Sequence, residues 1–482
     1  MIGSIINSLK NQLFLIGNKI QQENLTADYI TLELPVEQPI TLKPLEINDS
    51  FFLCKPDSNF TMLGLGSFLT IKAEGEQRLN LIKIEFSKIL NSWYQFNTPD
   101  FISPIAFLAF AFDANDPMKD KWTHFPNTLL TIPTVLIKQN DSKQVLQVNI
   151  KLQQVKDESL FSEIEDLLTL IFTTQKNQTN SNKNIEFSTQ EEYLSGSIKK
   201  TWQSLAEKAI SQIQSGHFDK LVASRQHSLQ TSDKISQVHL IQDLIKYYPS
   251  CTILSYHIAD KSILAASPER LVTLQHPLIQ SDALGGTIFR PEQKNKASNN
   301  SSQKYTTPLP FFLKEKNNQT EIESSESEKL LKEHDFISQT IYQSLDPLCH
   351  TLKMPVSPYL MKLQNLYHLE TPVQGKLMDN YDLFDAIEVL HPTPAVAGLP
   401  TQEAKKWLLD NENYHRGWYT GAFGWLDGHK NGDLSVMLRC ALINSNKKQL
   451  DLFAGAGLVA ESTPNAEWLE TELKIHTILE ML

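Results

Sequence analysis

Cysteine is scarce in this sequence and poorly placed for chemistry. Cys54, Cys251, Cys349 and Cys440 lie far apart among 482 residues and form no Cys-x-x-Cys pair. That excludes a dense disulfide framework and fits a reducing compartment. Positive charge is in deficit too, with 44 Lys and Arg against 55 Asp and Glu, a formal net charge of -11. A general nucleic-acid binder needs a basic face for phosphate contacts, so that class is set aside. Long hydrophobic runs are missing. The most apolar stretch, residues 101–112 (FISPIAFLAFAF), falls short of the ~20 residues a membrane helix requires and reads as a buried strand. The opening MIGSIINSLKNQLF lacks the charged start, apolar run and cleavage site of a secretory signal. The cytoplasm is the expected address, with neither nucleic acid nor membrane as partner. Neither glycine-rich segment, Gly285-Gly286-Thr287 or 454–457 (AGAG), has P-loop or dinucleotide spacing. No Ser-His-Asp or Cys-His set is supported, and the lone His391 reads as structural.

What is present is 41% hydrophobic residues, enough for a large core. Residues 28–175 carry short β-branched and aromatic runs (29–34, 68–71, 131–137) that predict strands. A helix is expected over 160–174, then a polar surface connection over 174–184. Apolar residues at helical spacing (Ile198, Trp202, Leu205, Ala209, Ile213) predict a helix over 193–216, stopped by Gly216. A strand is expected at 220–224, and strand and helix signals alternate thereafter. We divide the chain into a strand-rich N-terminal portion, 1–185, and a catalytic region, 190–482. Within the latter, 291–328 is a partly polar insertion that buries too little to offset its ordering entropy.

Two helices carry acids in unusual places. Leu330, Ile337, Ile341 and Leu345 form an apolar stripe, and Glu333 and His334 fall on it. A carboxylate on a buried face needs a partner; taken alone, a buried salt bridge or a wet helix edge explains it as readily as a metal. Near the C-terminus, Ser462-Thr463-Pro464 predicts a hydroxyl-capped helix start. Glu467, Glu470 and Lys474 then share one face, while Trp468, Leu469, Leu473, Ile475 and Leu479 imply that much of the helix is buried. The acidic pair suits a hard cation, and equally a solvated Glu470–Lys474 pair.

Taken in order, nine segments resemble the chorismate-utilising enzymes, over roughly 193–482. They are FDKLVASR (218–225), ASPERLV (266–272), ALGGTIFR (283–290), KEHDFI (332–337), LYHLETPVQGKL (366–377), LHPTPAVAGLP (390–400), RGWYTGAFGW (416–425), SVMLRCALI (435–443) and GAGLVAESTPNAEWLETELK (455–474). The resemblance implies a large α/β (α+β) fold of two packed antiparallel sheets flanked by helices. It also implies Mg2+ on Glu333 and Glu470, with Glu467 acting through water.

Within that family, aminating members carry either a glutamine where Lys220 stands or a covalent lysine where Gly285 stands. Lys220 together with Gly285 therefore implies the isochorismate-forming branch, acting on chorismate without an obligatory glutaminase subunit, as a monomer or weak homodimer. The salicylate-forming and aminating branches are the alternatives. On this reading Lys220 is the general base for water, with a lowered pKa, and Glu269 the general acid, with a raised one. Without the resemblance, Lys220 reads as a strand-edge lysine and Glu269 as a turn residue. Arg439 and Lys474 would bind the substrate carboxylates. Gly286, Thr287, His368 and Ala395 would line the site, with backbone donors from a Gly455–Gly457 loop. Ala395 stands where salicylate-forming relatives carry a hydroxyl. Gly285 stands where alanine is commoner and should loosen the pocket; His415 and the insertion look peripheral.

Overall fold

The computed structural model describes residues 2–23, 26–95, 98, 101–154, 157–174, 191–289, 313–316, 319–322, 325–362 and 366–482. Nearly all of the polar connection expected at 174–184, and most of the insertion at 291–328, lie outside the described residues.

Two large antiparallel sheets dominate. The first runs in the order Tyr29–Pro35, Lys143–Lys151, Val135–Asn140, Phe60–Leu65, Ser50–Lys55, Thr252–Ile258, Lys261–Ser267, Cys440–Asn444, Gln449–Leu458, Lys220–Gln230 and Gly398–Leu399. The second runs Cys349–Lys353, Leu366–Leu377, Leu278–Phe289, Arg270–Gln275, Gly432–Val436, Ala422–Asp427, Ile105–Phe110, Thr128–Ile132 and Leu69–Ala73, with Tyr359–Lys362 also on Leu366–Leu377. Early and late parts of the chain interleave. Ser50–Lys55 pairs with Thr252–Ile258, and Ile105–Phe110 pairs with Ala422–Asp427.

The sheets face each other across an aromatic core. Phe51 of the first sheet stacks on Phe107 of the second, ring centroids 4.9 Å apart, and Tyr256, Trp418 and Phe423 join them. This explains the unbroken apolar run at 105–110. Ile105, Phe107 and Ala109 enter the inter-sheet core, while Ala106, Leu108 and Phe110 enter a second core beneath helices. A strand covered on both faces has no reason to alternate with polar residues.

The run 131–137 proves to be parts of two strands. Thr128–Ile132 belongs to the second sheet and Val135–Asn140 to the first, the chain crossing between them at Pro133-Thr134. Proline cannot donate to a ladder, so it marks the crossing. The helix expected at 193–216 spans Glu191–Gln214, with Gly216 just beyond it in a left-handed conformation (φ 77°). Trp202 from this helix donates to the Pro464 carbonyl at 3.1 Å, seating the C-terminal helix Pro464–Leu479. Among the described residues no helix is long and apolar enough to cross a membrane.

Candidate active site

One cavity of ≈ 290 Å³ gathers side chains from both sheets and both acidic helices. Lys220, Glu269, Gly286, Glu333, His368, Ala395, Arg439, Gly455, Gly457, Glu467, Glu470 and Lys474 all line it. Thr287 occupies the strand position opposite His368, and its side chain is outside the described residues.

Lys220 opens the strand Lys220–Gln230 and is buried, its Nζ 2.7 Å from Oε1 of Glu333. Glu333 sits on the helix Ser325–Leu345, whose Ile337, Ile341 and Leu345 are buried as the stripe requires. The salt bridge expected as the plainer explanation of Glu333 therefore exists, and it joins two of the candidate residues. His334 next door is a buried neutral histidine: desolvation pulls it down to about 4, and Nε2 lies 2.7 Å from Oγ1 of Thr371.

The same helix packs on the strand Leu278–Phe289, and Gly285 permits it. A Cβ added at Gly285 would stand 2.5 Å from Cδ1 of Ile337. The expectation that Gly285 loosens the pocket is corrected here, because Ile337 already fills the space. Gly286 follows in a left-handed conformation (φ 66°) at a register shift between Gly285 and Thr287. Such a bulge bends the strand where Gly286 lines the cavity.

Glu269 lies in the Ser267-Pro268-Glu269 turn, only 3% exposed. Its carboxyl accepts from Oγ1 of Thr393 at 3.0 Å. Burial pushes the acid from its ordinary 4.5 up to about 7, against the opposing pull of Thr393 and of the Lys220 and Lys474 charges. The raised pKa expected from the sequence is present.

On the C-terminal helix, Lys474 donates to Glu470 Oε1 at 2.6 Å and to the Gly455 carbonyl at 2.9 Å. Glu467 is pushed up to about 7 by burial and then by the neighbouring Glu470 charge, while Ser462 donates to its Oε1 at 2.7 Å. Three sequence readings change here. Thr463 is the N-cap but makes no side-chain capping bond, the adjacent hydroxyl being directed at Glu467 instead. Leu469 and Leu473 are exposed, so the helix buries a narrower face than expected. The Gly455–Gly457 segment is not a loop; it is part of the strand Gln449–Leu458, and Gly455 offers an acceptor to Lys474. A Cβ at Gly457 would stand 2.8 Å from Lys220 Cε and 3.4 Å from Glu333 Oε1. Gly457→Ala is therefore expected to displace the amine and cut turnover about tenfold to a hundredfold with the fold intact. An unchanged kcat would show that the amine has room to spare.

Arg439 is buried in a left-handed conformation (φ 47°), an uncommon state for a side chain other than glycine. It donates to His368 Nε2 at 3.1 Å. Burial, helped by the Arg439 and Lys474 charges, holds His368 neutral, well below its ordinary range. His391 has the structural role expected of it: its Nε2 meets the Thr420 carbonyl at 3.0 Å, between Phe110 and Phe112.

Glu333, Glu467 and Glu470 are hard oxygen donors facing one cavity, and the charges of Glu333 and Glu470 both act on Glu467. That set suits Mg2+ or a similar cation. As the side chains stand, two of the acids are engaged by lysines, and among the described residues no three His, Cys, Asp or Glu are gathered closely enough to hold a metal.

Sequence reasoning missed the scaffold behind the cavity. Arg416, 3% exposed, donates to Glu412 at 2.6 and 2.7 Å, to the Val222 carbonyl at 2.8 Å and to the Val396 carbonyl at 2.9 Å. Its guanidinium carbon lies 4.4 Å from the Phe112 ring centroid. A lone arginine in the aromatic run RGWYTGAFGW was the available signal. Its partner acid, Glu412, stands four residues before it, just past the helix Thr401–Asn411, and His415 is exposed.

Residues 48–480 match the family described as chorismate binding enzyme. Isochorismate synthase MenF of Bacillus subtilis is 26% identical over 451 residues, 90% of this chain and 87% of that protein. The salicylate biosynthesis isochorismate synthase of Pseudomonas aeruginosa is 27% identical over 424 residues, covering 86% and 82%. Among solved structures, the menaquinone-specific isochorismate synthase MenF from Escherichia coli aligns with a TM-score of 0.69 at 18% identity, over 96% of this chain and 98% of that one. Anthranilate synthase component I from Streptococcus pneumoniae aligns at 0.63 and 16% identity, over 92% and 95%. These two likenesses establish the common fold.

Proposed function

The chain belongs to the chorismate-binding enzymes, and we propose that within them it converts chorismate to isochorismate. The observation that carries this reading is the shared cavity: a lysine, a buried acid poised near neutrality, and three further carboxylates meet in one enclosure. An amine with a free lone pair takes a proton from water, whose oxygen attacks ring carbon 2. The ring double bonds shift, and the carbon 4 hydroxyl departs as water with the proton of Glu269. Lys220 acts as base only with that lone pair free, so its ion pair with Glu333 has to be released in the reacting complex. Arg439 and Lys474 supply cations for the two substrate carboxylates. Bound by Glu333 and Glu470, with Glu467 acting through water, Mg2+ would offset the charge between the ring carboxylate and these acids. Water as nucleophile needs no glutaminase, and Gly285 provides no amine for covalent attack. The four free, buried cysteines support a cytoplasmic enzyme.

The test is product identification. Purified chain with chorismate and Mg2+ is expected to yield isochorismate without ammonia or a partner, and to lose turnover when the metal is chelated. Salicylate with pyruvate as the main product would move the chain to the salicylate-forming branch. Product formed only with ammonia would overturn the assignment.

A further inference from the structure

Resting on the assignment of Glu269 as the acid, we propose that Thr393 is a positioning residue that fixes which oxygen of Glu269 carries the proton. A neutral carboxyl has one oxygen that bears hydrogen and one that only accepts. Thr393 Oγ1 donates to Oε1 at 3.0 Å, so Oε1 takes the accepting role and the proton resides on Oε2. The hydroxyl itself is fixed. Thr393 is 1% exposed, and its carbonyl accepts from the Val396 and Ala397 amides, both at 3.1 Å.

That turn is tied twice to the strand bearing Lys220. The Val222 amide donates directly to the Ala397 carbonyl at 2.9 Å. The Val222 carbonyl and the Val396 carbonyl are bridged by one guanidinium, that of Arg416, at 2.8 and 2.9 Å. Val222 is two residues from Lys220, on the same face of the strand. The ties therefore hold the hydroxyl that orients the acid at a set distance from the base. Thr393 touches Glu269 and does not line the cavity. Its role is to aim.

Thr393→Val keeps the shape and removes the donor; Thr393→Ser keeps the donor. In the full-length enzyme with chorismate and Mg2+, the valine variant is expected to lose ten- to a hundredfold in kcat with KM within about twofold. The limb of kcat/KM that falls at high pH should move upward, because the lost bond favoured the ionised acid. Serine should restore both. Purely structural damage would lower thermal stability and leave the limb in place. Wild-type kcat in the valine variant, an unmoved limb, or a limb moving downward would each overturn the proposal. If valine does not fold, Thr393→Ala takes its place in the same comparison. The pH at which the fall in thermal stability levels off reads Glu269 in the folded chain without substrate. It keeps the proposal testable should chorismate prove not to be the substrate.

Discussion

Lys220→Ala should all but abolish conversion of chorismate, a loss of about 10²–10⁴-fold, while the protein remains folded. General-base catalysis accounts for roughly 10²–10⁴ in rate, and no second amine takes the same place: the nearby Lys474 is committed to Glu470 and Gly455. Removing the amine breaks one ion pair of Glu333, which is only half buried and keeps access to solvent, so the stability cost should stay near 1–2 kcal/mol. Circular dichroism and a melting curve check the fold; coupled detection of isochorismate checks the rate. Turnover within tenfold of wild type would remove Lys220 from the mechanism.

Glu269→Gln should be as severe in rate, about 10²–10⁴-fold, yet opposite in its effect on stability. The unfolded carboxyl titrates at 4.5 and the folded one at about 7. Between those values the folded chain binds more protons than the unfolded one. Its stability therefore falls as pH rises through that window, by an amount on the order of 3 kcal/mol once both forms are ionised. Glutamine cannot ionise and can still accept from Thr393. The variant should match the wild type near pH 4.5 and melt higher than it at pH 8. For the active enzyme the same titration predicts a rate that declines as pH passes about 7, since the acid must carry a proton. A variant less stable than wild type at pH 8 would contradict a buried acid whose desolvation outweighs the pull of Thr393, Lys220 and Lys474.

Much of this was legible in the residues. Periodicity placed Glu333 on a buried stripe because a helix repeats every 3.6 residues, and any charge on that stripe stands out. The C-terminal acids were readable for the same reason. What periodicity does not report is which side chains meet across the fold. Glu333 meeting Lys220 joins residues 113 positions apart, and only the family resemblance linked them beforehand. Gly285 was misread because a missing Cβ looks like empty space in a sequence, whereas the structure fills that space with Ile337. Thr393 and Arg416 were passed over because a threonine between prolines and an arginine beside glycine both read as ordinary turn chemistry. Arg416 matters through the backbone carbonyls it binds and Thr393 through one oxygen of Glu269, and neither acceptor leaves a signature in composition. The strand 131–137 was overextended for a related reason: both halves are β-branched and buried, and proline was the sole sign that they part company.

The interleaving of early and late strands has a consequence for biosynthesis. Residues 105–110 leave the ribosome roughly 300 residues before their neighbours at 422–427. At about 5–20 residues per second that delay lasts on the order of 15–60 s. Throughout it, a ribbon of isoleucine, alanine, leucine and phenylalanine can pair with 128–132 on one side only, and its other edge can recruit the wrong mate from another nascent chain. The earliest hazard to this protein is thus translational, and holdase chaperones rather than faster catalysis would set how much enzyme a cell obtains.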